Sequence, residues 1–245
     1  MIEGRVPAGA GAATQVFVED VGAPRLQPAD GHHLDRVLRL QTGEQVVAAD
    51  GRGTWRLCHY VGRPVPALEP VGDLVYDGAP EPPVTVAFVP VKGERPEWVV
   101  QKLTEIGVDR MVVLRSARSV VRWDRHPGDE ERALERLRRV AVAASAQSRR
   151  AWIPAVEGIV DVAALASVVD PGSAVLAERG GSPIDLARPV VAVGPEGGWN
   201  PTERREATGG LTVDLGPTVL RAETAALVAG TLLCALRSGA VAVAG

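Results

Sequence analysis

Two glycine-containing segments late in the 245-residue chain are the places where residue types and spacing could do chemistry. In the first, the apolar run Val190-Val-Ala-Val193 leads straight into Gly194-Pro-Glu196-Gly197-Gly198-Trp199. Asn200-Pro-Thr-Glu203 then reads as a helix start, with Asn as N-cap, Pro at the first helical position and Glu reaching back from the third. A buried strand, a glycine turn and a capped helix let the backbone come close to a ligand. In open α/β sheets ligands sit at the carboxyl ends of strands, where such a turn lies. The spacing is neither G-x-G-x-x-G nor a Walker loop, and an ordinary tight strand–helix connection would carry the same glycines. In the second segment, Val213-Asp-Leu215-Gly216-Pro-Thr-Val219-Leu220-Arg221 runs into Ala222-Glu223-Thr-Ala225. Two such loops at two strand ends could wall one pocket. Arg221 and Glu223 could act there as charged groups, or simply form a solvated ion pair at a helix start.

Composition narrows the classes. The hydrophobic fraction of 46% supports a real core and excludes disorder as the main state. The weakly polar run Thr224 to Leu236 is too short to span a bilayer, which takes about 20 residues. Early charges (Glu3, Arg5, Glu19, Asp20) leave no apolar signal region, so a cytoplasmic soluble protein is expected. Two cysteines, Cys58 and Cys234, give no disulfide framework, and the four histidines lack metal-ligand spacing, so no metal is expected. The net charge is −3, yet 11 arginines lie between Arg110 and Arg150 against five acids, which makes local phosphate binding plausible in a near-neutral chain.

These loops need elements to hold them. Residues 1–14 are small and Gly/Ala-rich and read as a flexible N-terminus. Residues 15–77 read as a small β-rich domain: a strand at Gln15–Glu19, strands Glu44–Ala49 and Thr54–Val61 around the turn signal Asp50-Gly51, and a helical stretch His32–Leu40 with Leu34, Val37 and Leu38 on one face. Residues 78–83, rich in proline, read as a linker. In residues 84–245 strands alternate with helices. The strands are Val84–Val89, Arg110–Leu114, Ala174–Ala177, Val190–Val193 and Leu211–Leu215. The helices are Glu94–Ile106 (Trp98, Val99, Leu103 and Ile106 on one face), Asp129–Gln147, a stretch near Val162–Val169, the helix opened at Asn200, and Ala222–Arg237. That alternation predicts an α/β domain with a largely parallel sheet.

Gly194-Pro-Glu-Gly-Gly198 followed by Leu215-Gly-Pro-Thr-Val-Leu-Arg221-x-Glu223-Thr-Ala225 resembles the RsmE family of 16S ribosomal RNA uridine-N3 methyltransferases. Lys92-Gly-Glu-Arg-Pro-Glu-Trp98, Gln101-Lys102, Glu105-Ile-Gly107-Val108, Ala117-Arg118-Ser119 and Ser145-Ala-Gln147-Ser148-Arg-Arg150 with Ile153-Pro154 are similar to further family segments. His33, Val37-Leu-Arg39-Leu40, Gly43 and Asp50-Gly51 resemble the family's RNA-binding barrel. The chain departs from the common pattern at Ala146, Arg149 and Thr218. The fold this resemblance implies is an α/β knotted SPOUT methyltransferase domain preceded by a small β-barrel PUA-like domain.

The resemblance also implies an activity: methylation of N3 of a uridine in 16S ribosomal RNA or the small ribosomal subunit, with S-adenosylmethionine as donor. The alternatives are a SPOUT enzyme acting on another RNA or atom, or a non-enzymatic RNA-binding assembly factor. Expected cofactor residues are Val193, Gly194, Glu196, Gly197, Gly198, Leu215, Gly216, Val219 and Leu220. Arg221 is expected to stabilise charge on the uracil and Glu223 to act as base. Arg36, Arg39, Lys92, Arg118, Arg149 and Arg150 are expected to hold RNA. Gly197 is expected to need a positive φ, so that Gly197→Val would abolish cofactor binding. Apolar residues all round Ala222–Arg237 call for burial on more than one side and, with the family pattern, imply a homodimer.

Overall fold

The computed structural model describes residues 11–92, 95–121, 123 and 126–242. Most of the stretch expected to be flexible, residues 1–10, lies outside them. The chain divides into two compact units, Met1–Ala79 with Ala143–Ile153, and Pro80–Val142 with Pro154–Gly245. The segment Ala143–Ile153, which falls within the expected catalytic stretch 84–245, thus groups with the N-terminal unit.

The first unit is built on a five-stranded sheet of β1 (Thr14–Phe17), β2 (Gln45–Ala49), β3 (Thr54–Val61), β4 (Ala67–Pro70) and β5 (Val75–Tyr76). Its order is β1-β2-β3-β4, with β5 also paired to β3. β1 runs parallel to β2 and the other pairs are antiparallel. Order begins before residue 14, because Ala13 N donates to Gln45 O at 2.7 Å and Ala12 packs on an apolar cluster around Val47, Ala49 and Trp55. The segment 143–153 is held by Gly53 N donating to Ala151 O (3.1 Å), Ile153 N to Gly51 O (3.0 Å) and Gln15 Nε2 to Arg150 O (2.8 Å). The expected His32–Leu40 face is corrected. A short helix α1 (Pro28–His32) continues as a π-helical turn over His33–Val37, where Leu38 N donates to His33 O. The wider winding shifts the side-chain period, so Leu34 is buried while Val37 and Leu38 are exposed.

The second unit is a six-stranded parallel sheet in the order β11-β9-β10-β6-β7-β8. Its strands are β6 (Thr85–Phe88), β7 (Arg110–Arg115), β8 (Ala155–Asp161), β9 (Ala174–Ser182), β10 (Val190–Val193) and β11 (Thr212–Val213). Parallel strands are covered on both faces, so their central members are apolar runs rather than alternations. Val86, Phe88, Met111, Val113, Val191 and Val193 face helices α2 (Arg95–Ile106), α3 (Asp129–Gln147) and α5 (Ala222–Arg237). Ala87, Val112, Leu114 and Ala192 face the other way, toward a 3-10 turn at Val162–Ser167 and helix α4 (Pro201–Thr208).

Three expectations change here. β8 has no apolar run: it is an edge strand, and its Gly158 sits in a register shift where Val112 pairs Glu157 and Val113 pairs Ile159. On α2 the buried stripe is Val99, Val100, Leu103 and Thr104, which leaves Trp98 exposed. On α5, Ala226, Ala229, Gly230 and Leu233 are buried while Val228, Leu232, Ala235 and Leu236 are only half-buried. That helix therefore packs one face on its own sheet.

Asp109 fastens one end of this unit. Its carboxylate accepts from Val84 N (2.9 Å) and pairs with Arg237, which also donates to Pro82 O (3.2 Å) and Gly107 O (2.9 Å). Both side chains are 14% exposed. Removing one partner of such a pair strands the other charge, so Arg237→Ala is expected to lower the unit's stability by about 3 kcal/mol. Urea unfolding of the variant checks this, and a loss within the scatter of surface substitutions would refute the role of the pair.

Candidate functional site

The sheet order sets the carboxyl ends of β11, β9 and β10 side by side, and both glycine loops leave from there. Beside the second of these loops opens a cleft of about 130 Å³. One wall is the loop after β11, with Leu215, Gly216, Thr218, Val219 and Leu220. The other is the middle of β9, Ala177-Glu178-Arg179. Of the residues expected to hold a cofactor, Leu215, Gly216, Val219 and Leu220 are in these walls. None of Val193–Gly198 is, and that turn stands instead at the end of the neighbouring strand β10. A separate cavity of about 230 Å³ beside Gly181, Arg188 and Leu211 is lined by none of the residues expected to hold a cofactor, though Val213 from the start of the second segment borders it.

The Gly194–Gly198 turn is shaped by packing. The α4 capping box forms as expected, with Asn200 Oδ1 accepting from Thr202 N and Glu203 N, both at 2.8 Å. Glu203 is buried because it does two jobs. Its carboxylate accepts from Asn200 N (2.9 Å) and from Ala117 N (2.8 Å) in the loop after β7. Beside that contact, Arg118 Nη1 donates to Gly197 O at 2.6 Å. The loops after β7 and β10 are thereby joined. Trp199 is buried, and a Cβ on Gly194 would lie 2.8 Å from its ring, so only glycine fits there. The left-handed φ falls on Gly198, at 68°. Gly197 needs no such conformation, and a Cβ there would meet Arg118 at an ordinary 3.4 Å. This removes the expected strain at Gly197.

The remaining candidates are scattered. Arg221 is exposed at the N-cap of α5. Glu223, in the first turn, is 12% exposed: its Oε1 pairs with Arg95 at 3.2 Å, and its Oε2 is buried with no hydrogen-bond partner. Arg36 pairs with the adjacent Asp35, while Arg39 (φ 55°) and Lys92 are exposed. Arg149 is half-buried, donates to Ala12 O at 2.8 Å, and has its pKa lowered by burial. Arg150 is also half-buried.

Five arginines of the basic segment are neutralised by acids of the second unit. Arg110 pairs with Glu157, Arg115 with Glu130 and Asp161, Arg132 with Asp129, Arg136 with Glu97 and Arg138 with Glu131. Sequence reasoning missed Asp214, Glu178 and Arg179, which line the cleft. Asp214 accepts backbone hydrogen bonds from Gly216 and Gly180, which hold its carboxyl below the usual carboxylate range, with Arg179 adding to the effect. An acid between a short apolar strand and a Leu-Gly pair was the one available signal. Among the described residues no cluster of His, Cys, Asp and Glu could hold a metal, and no helix is long and apolar enough to cross a membrane.

An RNA methyltransferase domain model matches residues 79–234, and an RNA methyltransferase PUA domain model matches residues 26–63. The chain is 37% identical over 226 residues to the ribosomal RNA small subunit methyltransferase E of Mycobacterium tuberculosis, covering 86% of each chain. It is 28% identical to the protein of the same name from Bacillus subtilis, over 88% of this chain and 91% of that one. Among solved structures, a probable rRNA-methyltransferase from Porphyromonas gingivalis superposes with a TM-score of 0.75 at 28% identity, covering 93% of this chain and 100% of the other. The methyltransferase E of Neisseria gonorrhoeae, bound to S-adenosyl methionine, gives 0.73 at 27% identity, with 91% and 97% covered.

The turn geometry separates two glycines that look alike in sequence. Gly194→Ala must displace Trp199 and is expected to cost about 1–3 kcal/mol, the range of overpacking. Gly197→Ala is expected to stay within about 0.5 kcal/mol, as an exposed position without strain does. Thermal unfolding of both variants checks the contrast, and equal losses would contradict it.

Proposed function

The chain belongs to the RNA methyltransferase family with the SPOUT fold whose relatives are named ribosomal RNA small subunit methyltransferase E, and we propose that it methylates N3 of a uridine in 16S ribosomal RNA. The observation that carries this reading is the cleft at the ends of β9 and β11, lined by Leu215, Gly216, Val219 and Leu220, in a chain whose relative of the same fold binds S-adenosyl methionine. The residues fit that donor. Leu215, Val219 and Leu220 offer apolar surface to a purine, and the loop backbone offers hydrogen-bonding groups at its edge. When bound, S-adenosylmethionine supplies a methyl group on a sulfonium, which needs alignment more than activation.

What remains for the chain is to hold the uracil and manage its proton. N3 lies on the Watson–Crick edge, so the target uridine is unpaired or pulled out of its stack. N3 carries a proton that must leave, and negative charge then spreads onto the uracil oxygens. Arg221, exposed at the head of α5, is the cation suited to that charge. Glu223, whose Oε1 pairs with Arg95, is the carboxylate assigned to accept the proton. The backbone of Val193–Gly198 borders the same strand ends and completes the cofactor's surroundings. Arg36, Arg39, Lys92 and Arg118 contact RNA phosphates. Arg149 and Arg150, both half-buried, also bind RNA. The substrate, ribosomal RNA or the small subunit, makes this a cytoplasmic enzyme.

The half-buried apolar face of α5 supports a homodimer. Val228, Leu232, Ala235 and Leu236 are covered by a second copy. Sedimentation is expected to give twice the 25.7 kDa chain mass, and Leu232→Arg to shift it toward monomer. A wild-type monomer at micromolar concentration would overturn the dimer.

For the reaction, mass mapping of nucleosides in 16S RNA from a strain lacking the gene is expected to show loss of one N3-methylated uridine, restored by the wild-type chain. Glu223→Gln and Arg221→Ala are expected to lower kcat by about a hundredfold or more, the scale of general acid–base and charge stabilisation, with cofactor affinity kept. An unchanged methylation map would reject the assignment.

A further inference from the structure

β9 and β11 pair in an unusual register. Thr212 pairs with Leu176, but the next residue, Val213, pairs with Ser182. The intervening stretch of β9 bows out of the ladder, and its Ala177-Glu178-Arg179 becomes one wall of the cleft. The opposite wall, Leu215–Leu220, is a loop with no ladder of its own.

Something must fix these two irregular segments relative to each other. Asp214 touches both. Its Oδ2 accepts from Gly180 N at 2.8 Å, at the far end of the bowed stretch. Its Oδ1 accepts from Gly216 N at 2.9 Å, at the start of the loop. Its own N donates to Ser182 O at 2.9 Å. Each carboxylate oxygen thus holds one wall, and Gly180 and Gly216 adopt the positive φ values (76° and 140°) that this arrangement requires.

Resting on the reading of this cleft as the cofactor site, we infer that Asp214 is a positioning residue that sets the spacing of the cleft walls, and so the affinity for S-adenosylmethionine. Asp214 does not belong to the apolar core, so its loss leaves the fold standing and loosens the walls. A side chain that only supported the fold would instead change stability and leave affinity alone. Charge-assisted hydrogen bonds to backbone N–H groups are the strong kind, and losing both at once is felt by whatever the walls enclose.

The test is calorimetric titration of S-adenosylhomocysteine into wild type, Asp214→Ala and Asp214→Asn, with thermal unfolding of each and steady-state methylation at varied S-adenosylmethionine. Asp214→Ala is expected to weaken binding by about tenfold to a hundredfold, the range for lost hydrogen bonds to a charged group. Its thermal midpoint is expected to stay near that of wild type, with KM for the cofactor raised and kcat at saturation kept. Asp214→Asn keeps one acceptor oxygen and is expected to fall between; if the alanine variant does not fold, this variant decides. Wild-type affinity in a folded variant, or a lowered midpoint with unchanged KM, would overturn the inference while leaving the cofactor site in place. A wild-type chain that takes up no ligand would instead remove the reading of the cleft itself.

Discussion

The order of the parallel sheet is the constraint on which the rest depends. Because β10 lies between β9 and β6, and β11 lies outside β9, three successive late strands end at one edge of the sheet. The loop after β10 starts from a fully buried strand, and β9 is anchored by its buried first half, since Val175, Leu176, Val191, Ala192 and Val193 are all buried. The core thus decides where the loops begin, and short-range contacts decide where they go. A well-packed sheet gives loop-borne chemistry a rigid base, and irregular backbone is tolerated at its rim.

The rim is organised by carboxylates acting on backbone N–H groups. Glu203 joins the loop after β7 to the head of α4. Asp214 joins the end of β9 to the loop after β11. Asp109 does the same at another place, binding Val84 N and Arg237. Each acid replaces a ladder that the local backbone cannot form, and so satisfies donors that turns leave open. The arginines follow a complementary pattern. Arg132, Arg136 and Arg138 on α3 are matched to acids, whereas Arg139 on the same helix donates to the Glu135 backbone, and Arg118 and Arg221, in loops at strand ends, have no carboxylate partner among the described residues. Five of the 11 arginines in the basic segment are therefore engaged in internal pairs, and the cations available for RNA are fewer than the count suggests.

Elements with a strong apolar period were legible in the sequence: β3, β10, α3 and α5 lie where their patterns place them. So was the α4 cap, because an Asn-Pro-x-Glu start states its own hydrogen bonds. Edges were not. β8 carries Gly158 at a register shift, and the second half of β9 is Glu-Arg-Gly-Gly-Ser, which has no apolar signal because it lines a cleft. At the site, Leu215 and Leu220 could be read from a motif, but Asp214 could not be singled out, since its role exists only once Gly180, distant in sequence, is brought beside it. Gly197 shows the converse: glycine in a motif suggests strain, yet the positive φ belongs to its neighbour Gly198.

The central claim is that the loop after β11 and the middle of β9 form the cofactor site. A crystal structure of the chain with S-adenosylhomocysteine tests it most directly. The account predicts the adenine between the apolar side chains of Leu215 and Leu220, with the rest of the molecule bounded by Ala177–Arg179. Ligand density in the cavity beside Gly181, Arg188 and Leu211, or none in the cleft at saturating concentration, would contradict it.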